Sequence, residues 1–209
     1  MKIEFETNFS PSKIVCVGRN YAEHAAELGN EVPKDPLLFL KAPSALIRNG
    51  ENIVIPPQSQ QVEHEGELAV IIGRRCKNLT KADDPFAYVR GYTCLNDVTA
   101  RDLQRKDGQF ARAKSFDTFC PIGPHIETEL DVSDIRVVAR VNGEIKQDGR
   151  TSQMVFPVDF LIRYISNMMT LLPGDIIATG TPSGVSKMNQ GDVCEVEIEG
   201  IGILKNTVK

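Results

Sequence analysis

With 209 residues, a formal net charge of −4, 41% hydrophobic and 25% charged residues and no tryptophan, the chain has the make-up of one soluble globular domain over 1–209. No apolar run approaches the roughly eighteen residues of a helical membrane span, and the basic residues are scattered apart from pairs such as Arg74-Arg75 and Arg105-Lys106, which argues against both membrane and nucleic acid as partners. The N-terminal segment has no secretory pattern, and five dispersed cysteines without a CxxC pair suit buried thiols, so a cytoplasmic location is expected.

After a short N-terminal strand, KIVCVG (13–18) reads as a buried strand and RNYAEHAAELG (19–29) as a short helix stopped by Gly29. Segments 37–43, 51–57, 66–73 and 88–97 are further strands divided by Pro, Gly, Asn and Asp clusters, and 98–107 is a short helix. Residues 134–149 carry a hairpin pattern with Asn142-Gly143 as its tight turn. The one long helix spans 157–172, where Val158, Leu161, Ile162, Ile165, Met168 and Met169 recur at three- and four-residue spacing. A turn, a buried strand and a Gly/Pro-rich loop follow over 171–185, and two short strands close the chain over 192–208. The sum is a mostly β (α+β) domain with a few helices.

The stretch HEGEL (64–68) poses the chemical question. Glu65 and Glu67 lie one residue apart on a strand, so both point to the same face and repel. Acid pairs on strands ordinarily face water. Here the apolar run LAVIIG follows at once, and Asp97 ends a second buried-looking strand, so three carboxylates at strand ends suit a hard divalent cation. Glu63 stays open as a further ligand or outer partner. His24 and Glu27, three apart in an Ala-rich helix, share a face in the arrangement that lets an imidazole take a proton near neutral pH. His64 and His125 read as structural. Lys114 in ARAKSFD and the loop Thr179-Gly180-Thr181-Pro182 gain chemical meaning only if they converge on the carboxylates.

In their order along the chain, VGRNYAEHAAELG, PLLFLKAPSAL, HEGELAVIIG, GYTCLNDVTARDLQ, AKSFDTFCPIGP and TLLPGDIIATGTPSGV resemble the fumarylacetoacetate hydrolase family over nearly the whole length. The resemblance implies a mixed β-roll with stacked sheets, usually a homodimer, of the compact branch that lacks the extra N-terminal domain. It implies metal ligation by Glu65, Glu67 and Asp97, with magnesium expected and manganese or calcium as alternatives. It further implies a catalytic His24–Glu27 pair on a lid helix that orders over substrate, oxyanion or enolate stabilisation by Lys114 and Gln104, and substrate contacts from Arg19, Arg101 and Thr181. Phe110 stands where many relatives carry a larger aromatic residue, which bears on pocket shape.

The function so implied is metal-dependent C–C hydrolysis of an acylpyruvate-type 2,4-dioxo acid to pyruvate and a carboxylic acid. Oxaloacetate decarboxylation, or isomerisation and hydration of a related enol acid, would use the same metal–enolate site. A non-catalytic small-acid-binding domain is the reading from another class.

Overall fold

The computed structural model describes residues 1–6 and 9–209. Among these, the strands form an eight-stranded mixed sheet, a five-stranded sheet and a two-stranded ribbon. The large sheet runs in the order Lys2–Ile3, Cys120–Glu127, Val89–Asn96, Gly66–Ile72, Ile176–Ala178, Ile14–Gly18, Leu37–Lys41, with Leu46–Arg48 also on Cys120–Glu127. The second sheet orders Glu144–Arg150, Arg136–Val141, Val193–Ile198, Gly202–Val208 and Asn52–Ile53. This is the mostly β class read from the residues, with the stacked sheets that the family resemblance implies. No helix of the described residues is long and apolar enough to cross a membrane.

Alternation along the central strand Gly66–Ile72 decides what each face does. Leu68, Val70 and Ile72 pack against the second sheet's Val137, Ala139 and Val196 and against Leu161, Ile162 and Ile165 of the helix Val158–Met168. Ala69 and Ile71 point the other way, into a cluster with Cys16, Leu95, Cys120 and Ala178. By the same period Glu65 and Glu67 lie on the second face, and Gly66 lies on the first. A Cβ on Gly66 would come within 3.2 Å of Ala139 Cβ and 3.3 Å of Val196 Cγ1, so glycine lets the two sheets meet at the point where the glutamates face away.

Local predictions hold with instructive exceptions. The hairpin turns at Asn142 (φ 54°) and Gly143 (φ 80°), both in the left-handed region a two-residue turn requires. The helix expected over 19–29 is only Ala22–Glu27. Arg19 is left-handed (φ 57°), and Asn20 is tied sideways, its Nδ2 donating to Phe156 O and Thr179 O and its Oδ1 accepting from Phe156 N. The strand expected over 51–57 shrinks to Asn52–Ile53, and 98–107 begins as the bridge Thr99–Ala100 before the helix Arg101–Asp107.

The long helix stops at Met168, because the next residues turn extended to pair Leu171 with Cys76 through two 3.0 Å backbone bonds. Met168 is therefore 51% exposed rather than core. The strand Cys120–Glu127 goes unpredicted; it carries Pro121 and Pro124, which cannot donate to a ladder, and the register slips between Gly123 and Glu127. All five cysteines are free and buried, as expected.

Gly66→Ala should cost about 1–3 kcal/mol in urea unfolding, the usual penalty of overpacking a close contact.

Candidate active site

The floor of the site is built where strand ends converge. Glu65, Glu67 and Asp97 are all buried, and one oxygen from each lies within 4.8 Å of the others. Backbone pairing enforces this: Asp97 N–H donates to Glu65 O at 2.8 Å, and Asn96 Oδ1 accepts from Glu65 N–H at 2.9 Å.

Three buried cations answer the acids. Lys114 Nζ lies 2.7 Å from Glu65 Oε2 and 2.6 Å from Asp97 Oδ2. Lys41 Nζ donates to Asp97 Oδ1 at 2.6 Å. Arg101 forks outward: Nη2 to Glu65 Oε1 at 2.5 Å, Nε to Glu63 Oε2 at 2.7 Å, and Nη1 to Gln104 Oε1 at 2.6 Å. Glu63 is thus an outer partner of the floor.

Burial alone would raise the Glu65 carboxyl, but Lys114 and Arg101 outweigh it and hold Glu65 well below the usual carboxylate range. Burial would likewise lower Lys114, yet Asp97 and Glu65 raise it. Glu67 differs. Its Oε2 accepts one bond, from Gly180 N–H at 2.8 Å, and no side-chain cation pairs with it among the described residues. Burial, then the charges of Asp97 and Glu65, push it well above the usual range. A divalent cation among the three carboxylates would supply the charge Glu67 lacks, and an all-carboxylate donor set suits a hard ion. The residues therefore fit the implied metal.

A cavity of about 450 Å³ opens above this floor. His24, 5% exposed, and Glu27 line its wall from the helix Ala22–Glu27. His24 Nδ1 lies 3.2 Å from Glu27 Oε2. A carboxylate only accepts, so Nδ1 carries the proton and Nε2 is left as the basic atom. Glu27 Oε1 accepts from Gly184 N–H at 2.9 Å, which docks the helix on the loop after Thr181.

Arg19, Gln104, Phe110 and Thr181 also line the cavity. The guanidinium of Arg19 makes no ion pair among the described residues, in contrast to Arg101. Because Gln104 gives its oxygen to Arg101, its amide N–H₂ is what remains to donate. The Thr181 hydroxyl donates to Gly66 O at 2.9 Å and accepts from Gln147 Nε2 at 2.7 Å, so it is committed inward rather than to a substrate carboxylate. Arg101 also lines the cavity, its guanidinium anchored to Glu63, Glu65 and Gln104. Phe110 packs edge-on against Phe39, whose ring lies 5.2 Å from Lys114 Nζ.

Two members escape sequence reasoning. Lys41 closes the apolar run LLFLK, and a lysine there was a usable signal. Gln147 was not legible: fully buried on the second sheet, its Oε1 accepts from Gly66 N–H at 2.9 Å and from His64 Nδ1 at 3.1 Å, and its Nε2 donates to Thr181 and to Pro182 O at 2.7 Å. His64, structural as expected, is completed by Ser186 Oγ at 2.9 Å from Nε2.

The family model for the fumarylacetoacetate (FAA) hydrolase C-terminal region matches residues 13–209. A Bos taurus protein named mitochondrial oxaloacetate tautomerase FAHD2A is 46% identical over 210 residues, covering 95% of this chain and 67% of its own length. The crystal structure of a 5-carboxymethyl-2-hydroxymuconate delta-isomerase from Mycobacterium smegmatis is 48% identical, with TM-score 0.89, over 96% of this chain and 79% of that one. A fumarylacetoacetate hydrolase from psychrophilic Exiguobacterium antarcticum is 44% identical, with TM-score 0.89, over 96% and 76%.

Arg101→Met strips the buried Glu63 of its counter-ion and Glu65 of one of its two, and should cost about 3–5 kcal/mol in urea unfolding. Burial lowers the His64 pKa below its unfolded value of about 6.5. Its stabilising contribution is complete above that pH and disappears as pH falls through the lowered folded value. His64→Gln should accordingly flatten that acid-side loss in pH-dependent unfolding.

Proposed function

The chain belongs to the fumarylacetoacetate hydrolase family, and from that premise we propose a divalent-metal-dependent enzyme that hydrolyses the C–C bond of a small acylpyruvate to pyruvate and a carboxylic acid. The observation that carries this reading is the His24–Glu27 dyad standing in the same cavity as the carboxylate–lysine floor. One end of the cavity can hold and polarise a 2-oxo acid, and the other can move a proton.

Glu65, Glu67 and Asp97 would hold magnesium, or manganese or calcium, and the bound ion would act as Lewis acid toward the 2-oxo carboxylate end. His24 Nε2, oriented by Glu27, takes a proton from water as its oxygen attacks the distal carbonyl. The bond between that carbonyl carbon and C3 breaks, and its electron pair becomes the enolate of pyruvate. Lys114 uses two N–H groups on Glu65 and Asp97 and keeps a third for the enolate oxygen, where the Gln104 amide also donates. The proton held by His24 returns to C3 or to the departing acid. Arg19, which makes no ion pair among the described residues, takes a substrate carboxylate. The partner in this reading is thus a small 2-oxo acid.

A second reading follows from the name of the bovine relative. Keto–enol interconversion of oxaloacetate needs the same floor and only a proton shuttle at His24, with no attacking water. Both readings can be tested with acetylpyruvate and oxaloacetate in added magnesium, following enol absorbance and pyruvate release. Metal-dependent pyruvate release from acetylpyruvate supports the hydrolase. Enol loss from oxaloacetate without pyruvate supports the tautomerase, and no metal-dependent turnover of either removes both. His24→Ala should lower the turnover found by about 10²–10⁴-fold, the usual share of a general base.

A further inference from the structure

One cation of the floor never meets the cavity. Lys41 ends the sheet-edge strand Leu37–Lys41, is 1% exposed, and reaches Asp97 Oδ1 at 2.6 Å and Val98 O at 3.1 Å. In the sheet it pairs with Ile14 and lies on the same strand face as Phe39, so it approaches Asp97 from the side of the apolar cluster that holds Ile14, Cys16 and Cys120. It is not among the residues lining the cavity and so cannot touch substrate. Its field nevertheless reaches whatever binds above, because little water lies between to screen it.

With its acids ionised, as they must be to hold a cation, the floor sets Glu63, Glu65, Glu67 and Asp97 against Lys41, Lys114 and Arg101. Formally it carries one net negative charge, and a divalent ion turns that into one net positive charge. The loaded floor therefore attracts an anionic 2-oxo acid more strongly than the bare floor does. Resting on the functional reading above, we infer that Lys41 is a positioning residue that fixes this balance. It weakens the floor's hold on the divalent ion, and it keeps the loaded floor positive, so that the acid binds after the metal and because of it.

Without Lys41 the bare floor gains a negative charge and the loaded floor becomes neutral. Metal binding then tightens while acid binding weakens. A lysine needed only to hold Asp97 in place makes a different prediction, since a displaced ligand weakens both.

The test is calorimetric titration of the purified full chain with Mn²⁺, followed by oxalate, a planar mimic of the pyruvate enolate, at saturating Mn²⁺. Lys41→Met should bind Mn²⁺ about tenfold more tightly and oxalate about tenfold more weakly, the scale expected for one charge close to a buried ion. Lys41→Arg should stay near the wild type in both. Should the methionine variant fail to fold, Lys41→Gln, which keeps a donor toward Asp97 without the charge, carries the same expectation. Both affinities falling together, or neither moving, overturns the role of Lys41 while leaving the site intact. A wild-type chain that binds no Mn²⁺, or binds oxalate equally without it, overturns the functional reading itself.

Discussion

Three carboxylates held within 4.8 Å of one another under an apolar sheet are the constraint around which the rest of this molecule is arranged. Unpaired, each would be a severe desolvation penalty. The chain meets the repulsion with three buried cations that divide the oxygens among them: Arg101 and Lys114 share Glu65, while Lys114 and Lys41 share Asp97. Glu67 alone is left with a single backbone donor. That asymmetry leaves the floor short of a closed salt-bridge network, and the proposed cation would supply the charge still missing.

Rigidity comes from the opposite face of the same strand. Gly66 lets the second sheet approach, and Gln147 from that sheet gathers the Gly66 N–H, the His64 ring, the Thr181 hydroxyl and the Pro182 carbonyl into one set of bonds. The peptide between the two glutamates and the loop on which the His24 helix rests are thereby held by a single side chain. The core between the sheets and the geometry of the floor are in this sense one structure.

The wall is organised on a different principle. The six-residue helix Ala22–Glu27 is too short to be stable alone, and it is held by Asn20 at its entrance and by Glu27 on Gly184. On the proposed reading, a floor that would stabilise an enolate and a wall that would move one proton define a chemistry with several outcomes, as the hydrolase, isomerase and tautomerase among its relatives illustrate.

The sequence by itself determined the strand-rich class, the hairpin at Asn142-Gly143 and the three acids of the floor, because each rests on short-range regularities: alternation, turn chemistry, acids abutting an apolar run. Helical spacing paired His24 with Glu27, and the family resemblance added the roles expected of that pair and of Lys114. Only the tertiary structure decided that Lys114 is buried between two acids rather than exposed, that Arg101 serves Glu63 and Glu65, that the Thr181 hydroxyl turns inward, and that Lys41 and Gln147 belong to the site. Those roles depend on partners as far as 115 residues away along the chain. No local pattern encodes which oxygen a buried cation will find, since packing fixes that pairing once every charge has been removed from water.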